Sequence, residues 1–354
     1  MKQAEFQIVF ATNLSRDLAY LAALTNSIVE HFSEPEKLSF HLLYYDLSDD
    51  ELEPLKQSVL RLPAPMEIHE VSELVGKRKE EPGFGYWTWL WMQVVLPESL
   101  PRALYLDCDM LCYRDLRPLW DIDLTNSLAA AVADPVSRIG GYSQQLSCEA
   151  AELGFKFPPN SPYFNAGFLF ANLEKWRERG LLEELDRYFQ GRFEQLPFPD
   201  QDALNLVLSD QVIFLSPEWN LIEPIAVYEN WDFELFSEFG SLQEYFEPRL
   251  QHFAGSLKPD RPFVRASHTA SFLQHLEQAA WTGPRVTHKW YQAVIGNLLD
   301  FHYYWIRGIK QKAISNPYRR LLETVKRAPY TLVLYPFLPV YRLLCRLSDR
   351  FFMT

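Results

Sequence analysis

Two aspartates separated by one residue, Asp107 and Asp109, end the apolar run ALYL in the stretch "ALYLDCDMLCYRDL". If that run is a strand and stays extended, side chains at i and i+2 face the same side, and both carboxylates converge on one point. Two carboxylates brought together repel unless one is protonated or a cation lies between them. A hard divalent cation, Mg²⁺ or Mn²⁺, meets that need, and such an ion can hold the diphosphate of a nucleotide and stabilise it as a leaving group. The competing use of an Asp-x-Asp after a strand is turn formation or helix capping. Cys108, between the two, is expected to pack into the core with no chemistry of its own.

Three further stretches carry groups suited to a ligand. "SPYFNAGFLFANLEKW" sets Asn165, Ala166 and Gly167 directly ahead of an apolar strand, where small residues allow a ligand to approach the backbone. "PFPDQDALNLVL" sets Asp200, Gln201 and Asp202 at a helix start, with simple N-capping as the alternative. "LQHFAGSLKPD" sets His252 at a strand end, Gly255 in a loop and Lys258 shortly after. A neutral imidazole can be a third metal ligand and a lysine can hold a phosphate. The chain has eight histidines, so His252 alone would carry little weight. No G-x-G-x-x-G follows the first strand and no G-x-x-x-x-G-K-[ST] occurs, so both glycine-rich phosphate cradles are absent. A bound nucleotide would need another means of neutralising its phosphates.

The elements that must position these groups alternate along the chain. A strand at Phe6–Ala11 leads through the turn "TNLSRD" to Leu14, Leu18, Leu21, Leu24 and Ile28 at helical spacing. Strands are predicted at Ser39–Ser48 and Met66–Ser72, with an acidic helix, "SDDELEPLKQSVLRL", between them. The charged stretch "GKRKEEPGFG" then leads into "YWTWLWMQVVLPESLP" and the strand that carries the aspartates. Further strands are predicted at Leu128–Asp134, Ala166–Leu173 and Gln211–Ser216, with a helical segment "EKWRERGLLEELDRYF" among them. The alternation predicts an α/β fold with a largely parallel sheet and ligands at the carboxyl ends of its strands.

The chain has 354 residues, enough for one large α/β domain or two smaller ones, and with 48% hydrophobic residues it is a globular chain. A net charge of −12 argues against a broad nucleic-acid-binding face. From Trp305 to Thr354, ten Lys/Arg stand against two acids, so the tail is basic and the body strongly acidic. The cysteines Cys108, Cys112, Cys148 and Cys345 form no zinc-type spacing, which suits a reducing compartment. The N-terminal stretch lacks the apolar region of a secretory signal, and no long uninterrupted apolar run appears. The expectation is a cytoplasmic protein.

In order and approximate spacing, "FATN", "ALYLDCDML" followed by "LRPLWDIDL", "YFNAGFLFANLEKW", "DQDALN", "PEWNL" and "HFAG" with Lys258 beyond it resemble the family 8 glycosyltransferases, from roughly Ile8 to Lys258. That family includes bacterial lipopolysaccharide galactosyl- and glucosyltransferases and, more distantly, glycogenin. The resemblance implies a GT-A domain, a Rossmann-like mixed, largely parallel sheet flanked by helices, that transfers a hexose from a UDP-sugar with retention of configuration. By matching position, Asp107, Asp109 and His252 would ligate Mn²⁺, with Mg²⁺ as the substitute. Gly255 and Lys258 would close over the diphosphate. Ala11, Thr12 and Asn13 would meet the uracil and ribose, and Cys108 falls among the nucleotide-binding positions. Asp134, Asn165, Ala166, Asp200 and Gln201 would surround the donor sugar, with Gln201 beneath the anomeric carbon. Asp134, Asp200 and Gln201 are the catalytic candidates. Two departures stand out: Thr12 and Asn13 replace the two acids of many members, and Gln93 is the nearest match for an arginine in the helix before the aspartate strand.

The expected division is a transferase domain over residues 1–270 and a C-terminal helical extension over residues 271–354. From about residue 301 the extension interleaves aromatics and leucines with Arg and Lys, which suits an anionic bilayer surface. Its prolines, Pro329, Pro336 and Pro339, oppose a spanning helix. The alternative is a helix pair docked on the acidic body. Docking at the inner face of the plasma membrane would fit a glycan or lipid-linked glycan acceptor such as a lipopolysaccharide. Glucose or galactose as the donor sugar, the acceptor and the oligomeric state stay open. Two rival readings are a metal-dependent sugar-nucleotide hydrolase and a catalytically silent UDP-sugar-binding protein.

Overall fold

Phe6–Thr12 forms strand β1, buried along its whole length except for the half-covered Ala11, as a strand covered on both faces must be. A computed structural model of the chain describes residues 5–76, 80, 84–134, 146, 151, 157, 162–189, 198–208, 211–222, 247–255, 258–260, 264 and 266–286. The tail from residue 301, Cys148 and Cys345 lie outside the described residues, as does most of "GKRKEEPGFG".

Among the described residues the remaining strands are β2 (Leu38–Tyr44), β3 (Met66–Glu70), β4 (Arg102–Leu106), β5 (Met110–Cys112), β6 (Ala129–Ala133), β7 (Phe164–Asn172), β8 (Val212–Leu215), β9 (Leu221–Ile222) and β10 (Leu250–His252). Seven of them make one sheet in the order β3-β2-β1-β4-β7-β6-β8. Neighbours run parallel except at β7, which is antiparallel to both β4 and β6. The sheet is thus mixed and largely parallel, as expected. Strand order reverses at β1, which lies between β2 and β4, and such a switch point opens a crevice at the strands' carboxyl ends. A small sheet, β5-β10-β9, stands beside that crevice.

The long helices include α1 (Asp17–His31), α2 (Asp49–Val59), α3 (Leu173–Arg179), α4 (Leu181–Phe189), α5 (Pro199–Leu208) and α6 (Ala266–Gln278). Helix α2 starts in a capping box between Ser48 and Glu51. The single helical segment expected over residues 174–189 is two helices, because Gly180 takes a left-handed conformation (φ 66°) that ends α3. The stretch expected as a helix before β4 begins as a 3₁₀ helix, Phe84–Trp91, and turns α-helical only over Met92–Val95.

The aromatic residues of this stretch pack into the core. Trp89 stacks on Tyr105 (centroids 4.5 Å apart) and tilts against Trp176, which is fully buried. Each such side chain contributes roughly 2–3 kcal/mol by burial. Arg177 fastens the stretch from outside: its guanidinium donates to the backbone carbonyls of Gln93, Leu96, Pro97, Glu98 and Leu100. The approach to β4 is therefore held at five points by one side chain.

The chain packs as two compact units. The first holds the described residues up to 222, with 247–252 and 272–285. The second includes residues 253–255, 258–260, 264 and 266–271, so α6 contributes to both. Among the described residues no helix is long and apolar enough to cross a membrane.

Candidate active site

Strand β4 ends at Leu106 and β5 begins at Met110, so Asp107, Cys108 and Asp109 form a bend that carries the chain from the large sheet to the small one. The aspartates stand at a strand end as expected, but the carboxylates converge through this bend and not through an extended i, i+2 relation. The bend is anchored on both sides. The N–H of Asp107 donates to the Gly167 carbonyl (2.8 Å), and the Cys108 thiol donates to the Ala11 carbonyl at the end of β1 (3.6 Å). Cys108 is buried, as expected, and also ties the aspartates to the first strand.

His252 closes the cluster. It is the last residue of β10 and pairs in register with Met110 of β5, directly after the bend. Its Nε2 lies 3.6 Å from Oδ2 of Asp107 and 3.4 Å from Oδ1 of Asp109. The imidazole is buried, Asp109 nearly so, and the Asp107 side chain is 39% exposed, so the cluster has one open side.

The donor set fits a divalent cation. The amide of Asn220 donates through Nδ2 to Oδ1 of Asn165 (2.9 Å), which leaves its Oδ1 facing Nδ1 of His252 at 3.1 Å. An oxygen there accepts, so Nδ1 carries a proton, and in the neutral ring the Nε2 lone pair faces the two carboxylates. Three electron-rich atoms aimed at one point are repulsive until a cation joins them. Gly167 leaves room for this: a Cβ at that position would stand 2.5 Å from Oδ2 of Asp107 and 2.6 Å from Cε1 of His252. Two carboxylates and an imidazole are a donor set for a divalent metal ion.

The second half of the site is a buried amide–carboxylate network. Asn165 donates to Oδ2 of Asp134 (3.2 Å) and Oε1 of Gln201 (2.8 Å). Gln201 accepts also from the Ala166 N–H (2.9 Å) and donates to Asp134 and the Tyr163 hydroxyl, each at 3.1 Å. Both lone pairs and both protons of its amide are thereby used. Tyr163 donates in turn to Asp202, which also accepts the Phe198 N–H, so Asp202 stabilises the start of α5. Asn165, Ala166 and Gly167 lie inside β7, which starts two residues earlier than the predicted strand because Phe164 pairs with Ala133 across a bulge.

Asp200 joins the two halves. The Trp89 indole N–H approaches its Oδ2 at 3.5 Å, and Tyr105, stacked on Trp89, donates to Oδ1 of Asp107 at 2.6 Å. Crowding of protein around the partly exposed Asp200 carboxyl, and then the Asp107 charge, push it up to about 7. Burial first, and Asp107 next, hold the Tyr105 phenol far above its ordinary range, so it stays a donor.

The other site candidates have local roles. The Thr12 hydroxyl donates to Asp17 (2.9 Å) and accepts the Leu14 N–H, shaping the turn after β1, and Asn13 donates to the Tyr45 hydroxyl. Gln93 is buried and donates to the Leu90 carbonyl. In the second unit, Gly255 is left-handed (φ 66°) and Lys258 donates to the Phe253 carbonyl. Tyr105, Trp89, Tyr163 and Asn220 were not singled out from sequence. "PEWNL" marked the last of these only as a family feature, and aromatic residues near strands read as core.

The mixed sheet with its crevice at the carboxyl end of β4 is a GT-A-type fold. Two solved structures share the fold: the WbbM bifunctional glycosyltransferase (TM-score 0.64, 21% identity, covering 79% of this chain and 51% of that one) and the galactosyltransferase LgtC with donor and acceptor sugar analogues (TM-score 0.60, 21% identity, 79% and 98%). The glycosyl transferase family 8 model matches residues 7–260, and the chain belongs to that family. Among curated relatives, general stress protein A of Bacillus subtilis is 23% identical over 74% of this chain and 90% of its own length. A lipopolysaccharide 1,2-glucosyltransferase of Escherichia coli is 27% identical over 52% of this chain and 51% of its own.

Proposed function

We propose that the chain is a retaining hexosyltransferase that moves glucose or galactose from a UDP-sugar to a glycan or lipid-linked glycan, with Mn²⁺ held by Asp107, Asp109 and His252. The observation that carries this reading is the convergence of Asp107, Asp109 and His252 at 3.4–3.6 Å beside the Asp134–Asn165–Gln201 network in a family 8 chain. When held by Asp107, Asp109 and His252, the ion would supply Lewis-acid charge that offsets the negative charge appearing as UDP departs. Lys258 and Gly255 are assigned to the diphosphate, and Ala11, Thr12, Asn13 and Cys108 to the nucleoside end.

Retention without a carboxylate nucleophile beneath the sugar favours a front-face reaction. The acceptor hydroxyl attacks the anomeric carbon from the side UDP leaves, the bond to the phosphate oxygen breaks, and that oxygen takes the hydroxyl proton. Gln201, a neutral amide with all its hydrogen-bonding positions engaged, holds Asn165 and Asp134 in place. Positive charge developing on the sugar is assigned to Gln201, with the Asp134 and Asp200 carboxylates as the further catalytic candidates. Trapping a sugar covalently on Asp200, Gln201 or Asp202 of the unmodified enzyme would overturn this mechanism. Incubation with UDP-glucose and UDP-galactose, with and without acceptor, separates transfer from hydrolysis and from silent binding.

The basic aromatic segment beyond residue 301 is assigned to the anionic inner face of the membrane, where a lipid-linked acceptor would be met. Deleting residues 305–354 should move the protein from the membrane fraction to the soluble one, and an unchanged distribution contradicts the assignment.

A further inference from the structure

Asn220 touches the metal cluster and the amide network directly, a second link beside the one through Asp200, Trp89 and Tyr105. Its Nδ2 donates to Oδ1 of Asn165 at 2.9 Å, and its Oδ1 faces Nδ1 of His252 at 3.1 Å. Asn220 is 3% exposed, so neither contact is exchanged with water. Asn165 Oδ1 also accepts the Gly167 N–H (3.1 Å), which leaves Asn165 donating with Nδ2 to Asp134 and Gln201. That oxygen fixes which way the Asn220 amide points, and the amide in turn fixes which imidazole nitrogen carries the proton.

The segment that delivers Asn220 is itself braced. The 3₁₀ turn Pro217–Trp219 precedes it, and Glu218 accepts from Arg249 Nε (3.0 Å) and from Arg114. The Arg249 guanidinium lies over the Trp219 ring, 4.6 Å from its centroid, and the Arg249 N–H donates to the Glu218 carbonyl (2.7 Å). Such bracing is more than a loop end needs, and it holds one amide in register with β10.

We infer that Asn220 is a positioning residue: it locks His252 in the Nδ1–H tautomer, so that Nε2 is presented to the cation, and it couples the cation site to the sugar-binding network through Asn165. The inference rests on the proposed metal site and says which residue outside the ligand set governs it. Outer partners of a ligating histidine typically control metal affinity by about 10- to 100-fold. The two contacts of Asn220 predict two separable effects.

The test uses the full chain and Mn²⁺ alone, with free Mn²⁺ read by electron paramagnetic resonance and the His252 tautomer by ¹⁵N NMR. Asn220→Leu removes both contacts; it should weaken Mn²⁺ binding by about 10-fold or more and release His252 to a mixture of tautomers. Asn220→Asp keeps an acceptor for Nδ1–H and loses the donor to Asn165. It should hold Mn²⁺ within about threefold, keep the Nδ1–H tautomer, and lower kcat with little change in KM for the donor. Unchanged Mn²⁺ affinity and tautomer in Asn220→Leu overturn the inference. If Asn220→Leu does not fold, a loss of Mn²⁺ affinity of about 10-fold or more in Asn220→Asp overturns it. His252→Ala serves as the control: normal Mn²⁺ binding there removes the metal site itself, whatever Asn220 does.

Discussion

The hydroxyl of Tyr105 donates to Oδ1 of Asp107 at 2.6 Å, while Oδ2 of the same carboxylate stands 3.6 Å from Nε2 of His252. One oxygen is thus held by the core and the other offered to the crevice. Tyr105→Phe keeps the ring stacked on Trp89 and removes only this bond. The expected result is a folded protein with Mn²⁺ affinity reduced about 10-fold, measured by titration in the absence of donor. Unaltered affinity would mean that the carboxylate needs no such tether.

Gly167 is constrained by space. A methyl group there would meet Asp107 and His252 at 2.5 and 2.6 Å, in the middle of a strand that cannot readily retreat. Gly167→Ala is expected to displace a ligand and cut Mn²⁺ affinity more than about 10-fold. Far-ultraviolet circular dichroism should remain that of the unmodified protein.

Asp200 is predicted to cost stability while serving the site. Its carboxyl is pushed up to about 7, above its unfolded range near 4, so the folded chain binds the extra proton between those values. Stability from this group is therefore complete below about pH 4 and lost as pH rises through about 7. Asp200→Asn should raise the thermal midpoint of the metal-free protein at about pH 8. The gain is on the order of 1–2 kcal/mol, since some solvent reaches the group, and turnover falls. An equal or lower midpoint at that pH contradicts the prediction.

The other histidine cluster has the opposite sign. His41 donates from Nε2 to Gln7 (2.7 Å), and its Nδ1 lies 3.1 Å from Nε2 of His69 on the neighbouring strand. Burial, then His69, lowers His41 to about 4, below its unfolded value near 6.5. The unfolded chain binds the proton first, so stability present above about pH 6.5 is lost as pH falls toward about 4. The loss is on the order of 2 kcal/mol by about pH 5. His41→Gln should flatten that decline in thermal melts between about pH 7.5 and pH 5, and an undiminished slope contradicts the assignment.

Much of the fold was legible because β1, β2, β6 and β8 carry apolar runs of strand length bounded by turn residues. The aspartate pair was legible as residue types, but its geometry was not. Extended spacing and a bend between two sheets both bring carboxylates together, and only the pairing of β5 with β10 distinguishes them. Asn220 and Tyr105 escaped notice for a related reason. Their roles depend on partners 55 and 2 positions away, and a Tyr or Asn beside apolar residues reads as core or turn. Gln201 was legible as a site residue, yet that every polar position of its amide is engaged needed the contacts of β7 and α5 together.

The account is tested most directly by measuring UDP release from UDP-glucose and UDP-galactose, with acceptor present, in the unmodified protein and in Asp109→Ala. One of the two donors should turn over in an Mn²⁺-dependent manner in the unmodified protein. Asp109→Ala should retain the fold and lose turnover by about 10²-fold or more. Undiminished Mn²⁺-dependent turnover in Asp109→Ala would contradict the account.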